Sequence, residues 1–245
     1  MTSETAKDRL IVYIDGFNLY HGIHDAASHE LLWLDIVELA RRLRPASSVV
    51  QVKYFTATVL DEPDAQSRQD KYITALTKLY PGRLTVIRGE YKRRHKRCRS
   101  CGAKWVSYEE KQTDVNMAVH IVADVAASRA DSYMIMSGDT DVIPAVKMGW
   151  SLNPSATIFA QFPPGRSSTA LKRMMPASRE ITLAKLRGAQ LPATVTTRDG
   201  SVHNCPDKWR AKSATPQSAS PLKSTVTPAD VARRLAPPAH QCPTS

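Results

Sequence analysis

The sequence predicts an α/β fold, a doubly wound and mostly parallel sheet with helices on both faces. Short apolar, β-branched runs alternate with segments of helical period, and the spacing between runs leaves room for the crossover helices that parallel strands need. Two of the runs lead directly into aspartates, as strands do when their carboxyl ends open onto a binding rim. At 245 residues the chain is long enough to bury a sizeable core.

LIVYI at 10–14 reads as a buried strand that ends at Asp15 and Gly16 and opens into a loop. Asp35 can cap a helix over IVELARRL, and VVQVKYFTATV at 49–59 is a second strand. RQDKYITALTKLY at 68–80 carries apolar residues at helical spacing and stops at Pro81-Gly82, before a third strand in LTVIRGEY. From Lys92 to Trp105 a basic insert, KRRHKRCRSCGAKW, has no hydrophobic period. A helix entered at Asp114 covers VNMAVHIVADVAAS, and SYMIM at 132–136 is a strand that runs into Ser137, Gly138, Asp139, Thr140 and Asp141. VIPAVKMG begins the next helix, ATIFAQF is a further strand and SSTALKRMM a further helix. The expected domain spans 9–187, after a tail at 1–8 and before a C-terminal extension at 188–210. Residues 211–245, rich in Pro and Ser, offer too little apolar surface to offset ordering entropy and read as a flexible tail.

A formal net charge of +11 favours a polyanionic partner, since a basic field concentrates phosphate-bearing ligands. The polar start MTSETAKDRL has no signal-peptide character, and no run approaches the roughly 20 apolar residues of a membrane span. The expectation is a cytoplasmic protein, with self-association left open. In a reducing compartment the four cysteines read as thiols or metal ligands before disulfides.

On a doubly wound sheet, the strand ends carrying Asp15 and the pair Asp139 and Asp141 face one rim, and Asp114 starts a helix at the same level. Such a cluster repels itself, because like charges close together raise each other's pKa. A hard cation, Mg²⁺ or Mn²⁺, resolves the conflict with oxygen ligands and retained waters, and can activate water for phosphodiester hydrolysis. Each aspartate also has a plainer reading: Asp15 as a turn residue, Asp114 as a helix cap, Asp139 and Asp141 as caps of the helix that follows.

Three segments, IVYIDGFNLYHGI at 11–23, EKQTDVNMAVHIVADV at 110–125 and YMIMSGDTDVIPAVK at 133–147, together resemble the NYN domain family, the LabA-like branch of the PIN-like nucleases. The resemblance implies a PIN-like fold, a metal-dependent ribonuclease site built from Asp15, Asp114, Asp139 and Asp141, and RNA as partner. It assigns Asn18, in D-G-x-N, to orienting a metal-bound water or a phosphate oxygen. Ser137 and Thr140 become hydroxyl donors to phosphate, or caps. Where many relatives carry a further acid two helical turns into the segment beginning at Asp114, this chain has His120, so that role does not transfer. The same resemblance admits a noncatalytic RNA-binding protein. Some proteins of this type are named as NADH-dependent monooxygenases of 6-hydroxy-3-succinoylpyridine, but no G-x-G-x-x-G loop follows any strand here.

In the insert, Cys98-x-x-Cys101 with Gly102 has the form of a zinc knuckle. His95 is a third candidate ligand, and a fourth would come from His203, Cys205, another chain or water. Arg93, Arg94, Lys96, Arg97, Arg99 and Lys104, flanked by Tyr91 and Trp105, form a candidate RNA-gripping flap, the plainer reading being a solvated basic loop.

Overall fold

The computed structural model describes residues 7–60, 62–98 and 101–210, and of residues 105 and 107–110 the backbone only. Arg99 and the expected flexible tail lie outside the described residues. The described residues up to Arg93 and from Tyr108 form one compact unit, and Arg94–Ser107 belong to a second.

In chain order the elements are β1 (Asp8–Asp15), α1 (Gly16–Ala27), α2 (Ile36–Leu43), β2 (Ser47–Thr56), α3 (Pro63–Leu79), β3 (Leu84–Arg88), β4 (Glu90–Arg97) and β5 (Lys104–Lys111). They continue with α4 (Thr113–Ala126), β6 (Ser132–Met136), α5 (Ile143–Leu152), β7 (Thr157–Phe162), α6 (Thr169–Met174), β8 (Arg179–Glu180), α7 (Leu183–Gly188), β9 (Thr194–Thr196) and β10 (Val202–Asn204). The main sheet has six strands in the order β3-β2-β1-β6-β7-β8, and its paired strands run parallel. The fold class expected from the sequence is therefore the one found.

Strand β1 sits at the centre, and its alternation builds both layers. Leu10, Val12 and Ile14 join one apolar cluster with α1, α2 and α3, while Ile11 and Tyr13 join a second with α4, α5 and α6. The extension beyond residue 188 adds Leu191, Val195, Cys205 and Trp209 to the first cluster, by way of the β9–β10 hairpin. Among the described residues no helix is long and apolar enough to cross a membrane.

Two local expectations are corrected. The stretch after Asp15 is a helix rather than a loop, because Asp15 itself caps α1 by accepting from the Asn18 N–H at 3.0 Å, and Leu19 and Ile23 fall one turn apart on its buried side. Gly16 lets this helix start against β2: a Cβ there would lie 2.7 Å from the Phe55 carbonyl oxygen and 2.8 Å from the Tyr54 ring. The basic insert is likewise regular, since β4 and β5 form a two-stranded sheet of their own. Gly102 closes its turn at φ +74, with its N–H on the Cys98 carbonyl and the Cys98 N–H on that of Ala103. A two-stranded ribbon with six of the eight β4 positions basic or histidine leaves no apolar period to read.

Candidate functional site

The order of the main sheet reverses between β1 and β6, and the crevice outside the carboxyl ends of these strands is where doubly wound sheets bind ligands. A cleft of about 440 Å³ lies there, lined by Asp15, Phe17, Asn18, His21, Tyr91, Thr113, Asp114, Asp139 and Arg166. Asp15, Asp114 and Asp139 thus reach one cleft from three elements: the end of β1, the first turn of α4 and the segment after β6.

Asp15 is buried at 6% exposure, and its carboxylate is held on both oxygens, by the Asn18 N–H and by the Ser137 hydroxyl at 3.0 Å each. Burial pushes this carboxyl above the ordinary range; the Asn18 and Ser137 hydrogen bonds oppose the shift and nearby Asp139 adds to it. Asp139 accepts from the Asp141 N–H at 3.0 Å and caps the 3₁₀ turn Thr140–Val142. The capping reading of Asp139 therefore holds together with its place in the cleft, and Asp15, expected as a turn residue, is a cap as well. Asp114 is no cap: the capping position of α4 is Gln112, in the left-handed region at φ +78, and Asp114 is exposed in the first turn.

The loop from Ser137 to Asp139 is fixed by side chains rather than by a regular element. Ser137 is fully buried, donates to Asp15 and accepts from the Asp139 N–H at 3.0 Å, so its hydroxyl is committed to joining the two aspartates rather than offered to phosphate. The Asn18 side-chain oxygen accepts from the Gly138 N–H at 3.0 Å, which leaves its NH₂ as the donor for the cleft. Gly138 is obligatory, because a Cβ would lie 1.6 Å from the Arg166 carbonyl oxygen. Asp141 and Thr140 are exposed and do not line the cleft.

Arg166 and His21 were not foreseen. Arg166 follows Pro163-Pro164-Gly165 after β7, and the signal available was its position beyond the carboxyl end of another parallel strand. It pairs with Asp25 of α1. Burial lowers the pKa of His21 and the Arg166 charge lowers it further, against Asp25, so the ring is neutral at neutral pH.

His120 lies elsewhere. Its Nδ1 is 3.2 Å from the Lys53 ammonium, which can only donate, so Nδ1 accepts. Lys53 pairs with the fully buried Asp124, which also accepts from the Tyr13 hydroxyl at 2.8 Å and from Arg129 at 3.0 Å. This is a charge network between sheet and helix, outside the cleft lining.

Among the described residues no three His, Cys, Asp or Glu side chains stand close enough to hold a metal ion between them. In the cleft the donors present are carboxylate oxygens spread around about 440 Å³, which fits a hydrated hard cation and not a chelated one. In the second unit Cys98 is half-buried and Cys101 exposed, and the expected zinc set is not assembled among the described residues. Arg93, Arg94, Lys96 and Arg97 are exposed on β4, and Lys104 on β5.

The 6-hydroxy-3-succinoylpyridine 3-monooxygenase HspA of Pseudomonas putida (strain DSM 28022 / S16) is similar to this chain, at 28% identity over 249 residues that cover 85% of the chain and 77% of that protein. No solved structure matches. A family model, the NYN domain, matches residues 9–176, which takes in β1, the acidic cleft and every strand of the main sheet but β8. The chain belongs to the NYN domain family, a PIN-like nuclease fold.

Proposed function

We propose that the protein is a metal-dependent endoribonuclease that hydrolyses RNA phosphodiester bonds in the cleft between β1 and β6. The observation that carries the reading is the convergence of Asp15, Asp114 and Asp139 on one cleft at the switch point of the sheet. Family membership and the charge of +11 agree with it. The three carboxylates would hold Mg²⁺ or Mn²⁺ largely through water. Such an ion, when bound, acidifies water and offsets phosphate charge. Arg166 and the Asn18 NH₂ are positioned to take phosphate oxygens, and neutral His21 can accept or return a proton. The exposed cations of β4 and β5 bind the phosphate backbone without reading sequence.

The test is cleavage of end-labelled RNA by purified protein with Mg²⁺, Mn²⁺ or EDTA, repeated with Asp114→Asn and Asp139→Asn. The expected outcome is metal-dependent cleavage that both substitutions abolish while RNA binding persists. Binding with no cleavage in any divalent ion would instead identify a noncatalytic RNA-binding protein.

A second reading rests on the relative named for hydroxylation of 6-hydroxy-3-succinoylpyridine. Against NADH at the switch point stands Asp15, a buried carboxylate where a dinucleotide pyrophosphate needs backbone amides. NADH oxidation that depends on that pyridine, in EDTA, would establish this reading in place of the first.

A further inference from the structure

A second cavity, of about 280 Å³, lies beside α1 and shares Phe17 and His21 with the acidic cleft. Five aromatic rings line it, Tyr20 and Phe17 from α1, Tyr54 from β2, Tyr72 from α3 and Trp209 from the C-terminal extension. The wall is fixed before any ligand arrives. The Tyr72 hydroxyl donates to the Leu34 carbonyl at 2.7 Å, and Trp209 meets the Tyr72 ring edge-on at 5.8 Å. Gln69 is spent on the backbone, accepting from the Val59 N–H at 2.9 Å and donating to the Ala57 carbonyl at 2.8 Å.

What remains for a ligand is apolar surface, the polar ends of Tyr20, His21 and His29, and two charges. Arg68, half-buried on the lining, has no carboxylate within ion-pair distance among the described residues, and Glu62 is exposed at the N-cap of the same helix. The volume is near the lower end of ligand cavities, about 300 Å³, which suits one ring with a short arm and excludes a dinucleotide. Flat aromatic walls favour a flat ring, and the Arg68 guanidinium favours an anion on its arm.

We infer that this cavity binds a free planar aromatic carboxylate, its ring among Phe17, Tyr54, Tyr72 and Trp209 and its carboxylate on Arg68. The site goes beyond the nuclease reading and requires neither metal nor RNA. Because Phe17 and His21 face both cavities, a bound ring touches the same helix that carries the acidic cleft.

The experiment is calorimetric titration of the full chain, in EDTA, with 3-benzoylpropanoate, with its neutral amide 3-benzoylpropanamide, and with AMP and UMP. The acid is expected to bind saturably and about 10-fold more tightly than the amide, the worth of one charge-assisted hydrogen bond. Arg68→Gln should bring acid and amide to equal affinity, and Ala65→Trp should abolish both by filling the cavity. Arg68 is partly exposed, so its variant reports even if Ala65→Trp fails to fold. The inference is overturned if acid and amide bind wild type equally, if Arg68→Gln keeps the preference, if only AMP or UMP saturates the site, or if nothing binds.

Discussion

Asp15 carries two duties that substitution can separate. It caps α1 and bridges to Ser137, and it places a charge in the cleft. In Asp15→Ala the cap is lost, at about 1 kcal/mol, and the fully buried Ser137 hydroxyl loses its acceptor, at about 1–3 kcal/mol. The sum, about 3 kcal/mol, lowers Tm by about 6–12 °C in a domain of this size. In Asp15→Asn the side-chain oxygen still accepts from the Asn18 N–H, asparagine is as good a cap as aspartate, and its NH₂ can donate to the Ser137 oxygen, which reverses that hydrogen bond instead of removing it. Stability should stay within about 1 kcal/mol, since the change also removes an ionised carboxylate that burial disfavours. Cleavage should nevertheless fall at least about 100-fold, the scale seen when a group that stabilises developing charge is removed. Differential scanning fluorimetry and cleavage of labelled RNA, run on both variants, separate the duties. An Asn variant that cleaves like wild type would refute the role given to the charge, and an Ala variant with an unchanged Tm would refute the capping geometry.

Replacing Arg93, Arg94, Lys96 and Arg97 with Gln should weaken RNA binding and reduce the slope of log affinity against log salt by about 3, at about 0.7 per phosphate contact on single strands; an unchanged slope removes β4 from the interface. Lys53→Met leaves the fully buried Asp124 without one of its partners and should cost about 3 kcal/mol, read as a Tm fall of about 6–12 °C, with a normal Tm contradicting the network. Burial, then Lys53, holds the pKa of His120 below its ordinary value, so the unfolded chain takes up the proton first and stability drains as pH falls below about 6.5. His120→Gln should therefore lose less Tm than wild type between pH 7.5 and 5.5, and an equal loss would show that His120 takes no part.

The sheet was legible because its strands are apolar runs of the length and spacing that parallel pairing demands, and β1, β6 and β7 fall on the runs expected. Helix α1 was not, because Asp-Gly-x-Asn is as good a turn as it is a cap: only Gly16 packed against the Phe55 carbonyl, a contact some 40 residues away in sequence, decides for the helix. Helix α3 begins at Pro63, earlier than its apolar period suggests, since proline suits the first turn while contributing nothing to periodicity. In the cleft, Asp15, Asp114, Asp139 and Asn18 were all readable from strand ends and motif. Arg166 and His21 arrive by tertiary packing, one from a loop that crosses Gly138 and one from an unforeseen helix. Ser137 was foreseen as a site residue, but its direction, inward to Asp15, is a property of the packed loop.

A basic chain with an acidic cleft sets up a conflict that RNA must resolve. The charge of +11 draws phosphate in, whereas Asp15, Asp114 and Asp139 repel it at the point where cleavage is proposed. Without a cation the backbone should be held by the basic ribbon and kept out of the cleft; with one, the repulsion becomes attraction. RNA affinity in wild type should accordingly rise on adding Mg²⁺ at constant ionic strength, although added Mg²⁺ ordinarily competes with protein cations for phosphate. The combined variant Asp15→Asn, Asp114→Asn, Asp139→Asn should bind RNA more tightly than wild type in EDTA, because the repulsion is gone, and should weaken on adding Mg²⁺, because only the competition remains. Fluorescence anisotropy with a labelled RNA reads both signs. Equal affinities for the two proteins in EDTA would mean that phosphate never enters the cleft, and the proposed chemistry would have no place to occur.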